Sequence, residues 1–207
     1  MATVAVLDYG SSNLRSVAKA LQAVAGADIE VRISASAAEL RRADRIVFPG
    51  QGAIGQCMQR LQALDLIEAL ADCLRNKPFL GICLGLQSLF DVSAENGGTQ
   101  CLGIVPGSVL RFQAGTGLKV PHMGWNQVWQ RLSHPLWGGI PDGERFYFVH
   151  SYYVAPADPV AIAGGTDYGL EFTSAVAREN LFAVQFHPEK SQRPGLALLR
   201  NFLHWQP

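Results

Sequence analysis

Residues 79–90 read FLGICLGLQSLF, and this stretch decides the fold. An apolar run leads into Gly81-Ile82-Cys83-Leu84-Gly85, and an amphipathic run follows at once. This pattern is typical of a buried strand that turns sharply into a helix, because glycines two residues to either side let the two elements pass close together. We therefore predict a strand that ends near Cys83 and a helix over residues 84–93, with the cysteine at the turn.

The chain before this turn alternates between short apolar runs and amphipathic runs. The apolar runs predict strands at residues 3–8, 29–33, 45–49 and 77–82. The amphipathic runs predict helices near 14–24, 37–42 and 54–75, the last one broken near 64–65. Alternation of this kind is typical of βαβ units with a parallel sheet. The sequence predicts a three-layer α/β fold of the flavodoxin-like kind, in which an open, mostly parallel sheet carries helices on both faces.

The second half of the chain has a different character, with short β-like runs separated by glycine and proline. The runs SVLRF, WNQVW, RFYFVH, YYVA, PVAIAGG, SAVARE and LFAVQF predict added antiparallel strands. A last amphipathic helix is predicted over about 194–205, with Leu196, Leu199 and Leu203 on one stripe. No break in composition separates the halves, so we expect residues 1–207 to form a single domain.

Charge and composition argue against several functional classes. The 17 basic and 17 acidic residues cancel, so no surplus charge attracts nucleic acid or an anionic membrane. No apolar run has the length of a membrane span, and MATVAVLDYG lacks the basic region of a signal peptide. The four cysteines form no C-x-x-C pair and are expected to be free thiols. We expect a cytoplasmic protein without a metal site or cofactor.

Cys83 has a further interpretation, because G-x-C-x-G between a strand and a helix is the thiol form of a nucleophile elbow. The unpaired N–H groups at the helix N-terminus favour the thiolate, which is the reactive form. The N–H of Leu84 would then face a developing oxyanion. The alternative is that Cys83 is a small buried hydrophobe and that the glycines only permit tight packing. The pattern alone leaves both open.

A thiol nucleophile needs a base, and His187 is the best placed of the five histidines. It follows the apolar run LFAVQF, and Pro188 prevents the strand from continuing. Glu189, two residues later, would turn back to the imidazole and fix its tautomer. Cys83 and His187 both follow predicted strands, at the edge where parallel sheets place their sites. A purely structural role is the ordinary alternative for any single histidine.

A second oxyanion donor is predicted in the loop FPGQGA, residues 48–53. The backbone N–H of Gly50 or Gly52 would approach a substrate where a Cβ would obstruct it. A phosphate-binding loop is the rival interpretation, but the Lys-Ser/Thr ending of a P-loop is missing.

The motifs PGQG, GICLGLQ and FHPEK, in this order and spacing, resemble the class I, triad-type glutamine amidotransferases. The resemblance implies that Cys83 is the nucleophile, His187 the acid and base, and Glu189 the residue that orients His187. It also implies a set of positions that hold glutamine and its oxyanion, namely Gly50, Gly52, Leu84, Gln87, His150, Ser151 and Tyr152.

A narrower resemblance covers nearly the whole chain. VLDYGSSNLRSV (6–17), KVPHMGWN (119–126) and FYFVHSYY (146–153) look like the glutaminase-subunit family of the imidazole glycerol phosphate synthases, in histidine biosynthesis. This implies a heterodimer in which ammonia from glutamine passes to a (β/α)₈-barrel cyclase subunit. The candidate contacts with that partner are Asn13, Arg15, His122, Met123, Trp125 and Lys190. Two residues depart from the family pattern, Ser12 and Gln51.

Three alternatives remain open at this point. Another class I glutaminase, for pyridoxal phosphate, anthranilate or guanylate synthesis, shares the triad, and only KVPHMGWN and DYGSSNL argue against it. FHPEK directly after a strand argues against a cysteine peptidase or a dienelactone-hydrolase-like enzyme. The intact Cys83, His187 and Glu189 argue against an inactive regulatory homologue. If the chain is an amidotransferase of any kind, we expect a partner, since the motifs leave no residues for a domain that accepts ammonia.

Overall fold

The structure, a computed structural model, describes residues 1–113 and 118–207. The helices are α1 (Leu14–Val24), α2 (Ala37–Arg42), α3 (Ile54–Ala63), α4 (Ile67–Asn76), α5 (Leu84–Gln87) and α6 (Gln192–His204). The strands of the first half are β1 (Ala2–Leu7), β2 (Ile29–Ser34), β3 (Arg45–Gly50), β4 (Phe79–Cys83), β5 (Val92–Ser93) and β6 (Thr99–Gln100). Those of the second half are β7 (Gly107–Arg111), β8 (His122–Gln130), β9 (Glu144–His150), β10 (Tyr152–Pro156), β11 (Ile162–Asp167), β12 (Glu171–Arg178) and β13 (Leu181–Val184).

The centre of the sheet is parallel and runs in the order β2-β1-β3-β4-β13. The order 2-1-3-4 is that of the flavodoxin-like sheets, with β13 in the fifth position. The path continues through β12, β10, β7, β5 and β6, while β11, β8 and β9 branch from β12. Strands of the second half join mostly by antiparallel pairing, so the sheet is open and mixed. The predicted fold class, with its added antiparallel strands, is confirmed.

Helices cover both faces of the parallel centre, because successive residues of a strand point to opposite faces. Val4 and Val6 of β1 pack in one hydrophobic cluster with α1 and α6. Ala5 and Leu7 pack in a second cluster, with α2, α3 and α4. The two clusters form the two interfaces of a three-layer arrangement.

One predicted helix is wrong. We expected a helix over residues 84–93, whereas α5 ends at Gln87 and the chain reaches strand β5 at Val92. The carbonyls that a longer helix would need are engaged elsewhere. Those of Ser88, Leu89 and Phe90 accept hydrogen bonds from the N–H groups of residues 102–105. A local apolar pattern does not report these distant partners.

Other boundaries agree with the sequence within a few residues. The break predicted near residues 64–65 is confirmed, since α3 ends at Ala63 and α4 begins at Ile67. The last helix begins at Gln192, two residues before the predicted start, and Leu196 on its stripe is only half-buried. Within residues 1–113 and 118–207, no helix combines the length and the apolar character that a membrane crossing requires.

Candidate active site

Four neighbouring strands end at the same edge of the sheet, and their loops bring the predicted site together. These strands are β1, β3, β4 and β13, which are followed by Asn13, the Gly50–Gly52 loop, Cys83 and His187. In the register of β3 and β4, Gly50 lies directly opposite Cys83. The edge formed by the carboxyl ends of parallel strands is where open α/β sheets hold their ligands.

Cys83 has the backbone of a nucleophile elbow. It stands between β4 and α5 with φ 55° and ψ −106°, a conformation that costs a non-glycine residue roughly 1–3 kcal/mol. A Cβ added to Gly85 would lie 1.9 Å from the carbonyl oxygen of Phe48, so the close contact between α5 and β3 requires glycine there. Because α5 has a single turn, the thiol gains less from a helix dipole than the predicted longer helix would give. Unpaired N–H groups at its start remain available.

His187 and Glu189 form a buried pair beside this elbow. Nδ1 of His187 donates to Oε1 of Glu189 at 2.7 Å, and their side chains are 1% and 0% exposed. The same carboxylate oxygen accepts a hydrogen bond from Nδ2 of Asn13. Asn13, predicted as a partner contact, is instead buried and bound to the predicted triad.

The pKa of His187 reflects its neighbours. Burial lowers this pKa, but the Cys83 sulfur and then the Glu189 carboxylate outweigh burial and raise it to about 10. Nδ1 is occupied by Glu189, so the interaction with Cys83 falls to Nε2, which has no hydrogen-bond partner in the described part of the chain. The arrangement favours an imidazolium between two groups that are anionic when deprotonated, as in other thiol–imidazole pairs.

The predicted oxyanion loop lies beside the cysteine. Gly52 has φ +97°, which a residue with a side chain rarely adopts. The neighbouring Gln51 donates from Nε2 to Oγ of Ser12. The two residues that depart from the family pattern therefore contact each other, which ties the loop after β1 to the loop after β3.

A cavity of about 230 Å³ opens at Cys83. Drug-sized ligands occupy roughly 300–1,000 Å³, so this volume suits a ligand of amino-acid size. The lining residues combine predicted and unpredicted positions: Gln51, Gly52, Cys83, Leu84, Gln87, Glu95, Pro121, Val149, His150, Ser151 and Tyr152. A larger cavity of about 590 Å³, around Val160 and Arg178, contains no residue of the predicted triad and lies at the opposite end of β13.

Sequence reasoning missed Gln185. Its side chain is buried, and Nε2 lies 3.6 Å from the sulfur of Cys83, in reach of a weak hydrogen bond. Its Oε1 accepts from Nε2 of Gln87 at 3.0 Å. The one polar residue within the apolar run LFAVQF was a signal for it, because a buried polar side chain needs a specific partner.

The predicted partner contacts divide into exposed and buried residues. Met123 is 63% exposed and Trp125 is 42% exposed, so Trp125 is not a core residue. Arg15 and Lys190 are exposed as well. Tyr147, which we did not predict, connects this surface: its ring lies 6.1 Å from that of Trp125 and 6.0 Å from Nζ of Lys190.

His122 does not lie on this surface. It is 3% exposed, and its ring is stacked with those of Tyr168 and Phe148. The strand alternation explains the difference, since Met123 and Trp125 point outward and His122, one residue before Met123, points inward.

The thiols and acidic groups give no sign of a metal centre. Cys57, Cys73, Cys83 and Cys101 are free. Among the described residues, no group of three or more His, Cys, Asp or Glu side chains is arranged to hold a metal ion.

Comparisons with known proteins show the family of the chain. The glutamine amidotransferase class-I family matches residues 5–205. The chain is 56% identical to imidazole glycerol phosphate synthase subunit HisH of Nitrosococcus oceani, over 99% of this chain and 98% of that protein. It is 55% identical to the subunit HisH of Aromatoleum aromaticum, over the full length of both. A crystal structure of a glutamine amidotransferase, 17% identical, superposes with a TM-score of 0.74 over 97% of each chain and supports the fold alone. The chain therefore belongs to the class I glutamine amidotransferases and, among them, to the family of imidazole glycerol phosphate synthase subunit HisH.

Proposed function

We propose that this chain is the glutaminase subunit of an imidazole glycerol phosphate synthase, which hydrolyses glutamine to glutamate and ammonia. One observation carries the proposal: a cysteine in a strained strand-to-helix turn shares a sheet edge with a buried His–Glu pair. Membership in the HisH family supports the choice of this synthase over those for pyridoxal phosphate, anthranilate or guanylate.

The first half of the reaction forms a thioester. The Cys83 sulfur attacks the side-chain carbonyl carbon of glutamine, and the negative charge that develops on the oxygen is held by backbone N–H groups near Gly52 and Leu84. His187 donates its Nε2 proton to the departing nitrogen, so that ammonia leaves as the carbon–nitrogen bond breaks. Glu189 keeps Nδ1 of His187 protonated and directs Nε2 toward the sulfur.

The second half releases glutamate. His187, now neutral at Nε2, takes a proton from water, and the resulting hydroxide attacks the thioester carbon. The carbon–sulfur bond breaks, and the sulfur leaves as thiolate next to the imidazolium that has just formed. The cycle returns Cys83 and His187 to their starting state.

The proposal extends to a partner and a location. Free ammonia would be diluted and protonated in water, so the chain docks as one domain of 207 residues on a (β/α)₈-barrel cyclase subunit in the cytoplasm. The proposed contact is the surface formed by the exposed Met123, Trp125 and Lys190 together with the half-buried Tyr147. It lies close to the triad, because Lys190 directly follows Glu189.

The Cys83→Ala variant, in complex with the barrel subunit, tests both parts. We expect glutamine-dependent synthesis to fall roughly 10³-fold or more, while synthesis from added ammonium salt is retained. The wild-type complex is the control, assayed with each nitrogen source. Near-normal glutamine hydrolysis by the variant would disprove the role of Cys83, and loss of both reactions would point to a failure of assembly.

A further inference from the structure

Two buried histidines that take no part in the triad face each other across β8 and β9. His122 and His150 are opposite in register, and their side chains are joined by a 2.9 Å contact between Nδ1 of His122 and Nε2 of His150. Their residues are 3% and 6% exposed. His150 lines the cavity at Cys83, whereas His122 lies behind it.

The groups next to the two histidines decide which ring nitrogen donates and which accepts. Nδ1 of His150 lies 2.7 Å from the carbonyl oxygen of Tyr152, which can only accept, so this nitrogen carries the proton. Nε2 of a neutral His150 is then an acceptor, and Nδ1 of His122 must donate to it. The remaining nitrogen of His122, Nε2, is an acceptor 3.3 Å from Nδ2 of Asn126. Asn126 also donates to the carbonyl of Asp167, so its amide is fixed as well.

The surroundings favour this neutral arrangement. Burial lowers the pKa of His122 to about 4 and that of His150 to about 3. The ring of His122 is stacked on those of Tyr168 and Phe148, with centroids 3.9 Å and 4.8 Å away. Two rings stacked on the imidazole restrict its rotation, so its nitrogens keep one direction.

The same series of hydrogen bonds continues from Tyr152 to the proposed nucleophile, Cys83. The carbonyl of Tyr152 accepts a second hydrogen bond, from Nε2 of Gln87 at 3.0 Å. The other hydrogen of this amide goes to Oε1 of Gln185, whose own amide lies next to the Cys83 sulfur. Both hydrogens of Gln87 are therefore used inside the protein. Its Oε1 is left as the atom that can meet a ligand in the cavity that Gln87 lines.

We propose that His122 is a positioning residue for glutamine binding. Its N–H holds His150 in one tautomer, which fixes the Tyr152 carbonyl, and this carbonyl in turn keeps the amide oxygen of Gln87 directed at the cavity. That oxygen recognises an N–H donor on the substrate, the α-ammonium or the side-chain amide of glutamine. The inference rests on the proposed function and adds to it a residue that touches no substrate.

The test measures glutamine affinity by calorimetry on the full chain in a Cys83→Ala background, which prevents turnover. His122→Phe keeps the stacked ring and removes both nitrogens, so we expect about tenfold weaker binding or worse, because a buried acceptor on His150 is left unpaired. His122→Asn restores a donor near the Nδ1 position, and its affinity should stay within about threefold of the parent. Phe172→Leu, in the same aromatic cluster but outside the hydrogen bonds, is the control for packing.

Two further readouts separate positioning from structure. In ¹⁵N NMR spectra, the His150 signals of the parent should report an Nδ1–H tautomer, and His122→Phe should alter them. In the active complex, His122→Phe should raise KM for glutamine more than it lowers kcat. Unchanged affinity in His122→Phe, or an equal loss in Phe172→Leu, would overturn the proposal and leave the glutaminase function standing. If the parent itself fails to bind glutamine, the proposed function and this inference both fall.

Discussion

Glu189 is an acceptor for two donors at one oxygen, since His187 and Asn13 both bind Oε1. In Glu189→Gln these two donors would keep the amide oxygen in place, so the orientation of His187 survives while the negative charge is lost. The pKa of His187 should fall, because the carboxylate is one of the groups that raise it. By analogy with other triads, we expect kcat to fall less than in Cys83→Ala. The two fold-losses should differ by roughly one to two orders of magnitude.

Steady-state kinetics of the complex, with an NMR titration of His187, would measure both effects. Glu171→Gln removes an exposed carboxylate that is paired with Arg131, and it serves as the matched control. A rate loss as deep as that of Cys83→Ala would contradict the orienting role.

The lowered pKa of His122 makes the free energy of unfolding depend on pH. Its native pKa of about 4 lies below the ordinary value near 6.5, so the unfolded chain binds more protons between these two values. Its contribution to stability is fully present above about pH 6.5 and is lost as the pH falls toward 4. Between pH 7 and pH 5 this amounts to about 2 kcal/mol.

Urea denaturation of the wild type and of His122→Asn at the two pH values would check this. The variant should lose less stability on acidification, by about that amount. His204→Asn, at an exposed site on α6, controls for the loss of an imidazole. Equal losses in all three proteins would show that His122 does not titrate as expected.

Single residues were predicted from the sequence where their chemistry depends on local spacing. Cys83, His187 and Glu189 each stand at a fixed distance from glycines, a proline or one another, and the structure brings them to one edge. Asn13 and His122 were assigned to a surface, and both are buried. Their hydrogen-bond partners, Glu189 and His150, are far away in the chain, and no local pattern encodes such pairings.

At the scale of elements, the turn between β4 and α5 depends on a contact between backbones. A methyl group at Gly85 would lie 1.9 Å from the Phe48 carbonyl oxygen, so the backbone of α5, which begins next to Cys83, or that of β3 must shift. Gly85→Ala should therefore lower the free energy of unfolding by about 3 kcal/mol and should reduce glutaminase activity as well.

Denaturation and activity of Gly85→Ala would be compared with those of Gly26→Ala. Gly26 lies between α1 and β2, and a Cβ there would meet no atom within 4 Å. Similar stability and activity in the two variants would mean that the elbow tolerates a wider separation from β3.

Elements were predictable where one periodicity covers the whole element. The four parallel strands of the first half and the helices between them follow this rule. The stretch after Gln87 does not follow this rule. Its apolar residues are buried without forming a helix, and its carbonyls accept hydrogen bonds from residues 102–105. A buried irregular segment and a buried helix have the same composition, so the sequence could not separate them.

At the scale of the whole molecule, the exposed surface around Trp125 predicts where the partner docks. Trp125→Ala should weaken binding of the barrel subunit by about 30-fold or more, since large aromatic side chains carry much of the energy of an interface. Trp129→Ala is the matched control, because Trp129 is 41% exposed on the same face of β8 four residues away.

Titration calorimetry with the barrel subunit would give both dissociation constants. The triad lies outside both substitutions, so glutamine affinity of the isolated chain should be unchanged. Equal weakening by the two variants, or none by Trp125→Ala, would place the interface elsewhere.

The position of β13 in the sheet has a consequence for the making of this protein. β13 pairs with β4, yet it leaves the ribosome about 100 residues later, which takes roughly 5–20 s at ordinary rates of translation. During that interval β4 has a free edge, and a chaperone that shields it would limit aggregation. Cys83 is made long before His187, its proposed base, because His187 follows the strand that closes this gap. On the proposed mechanism an unfinished chain cannot consume glutamine, and the appearance of glutaminase activity marks the completion of folding.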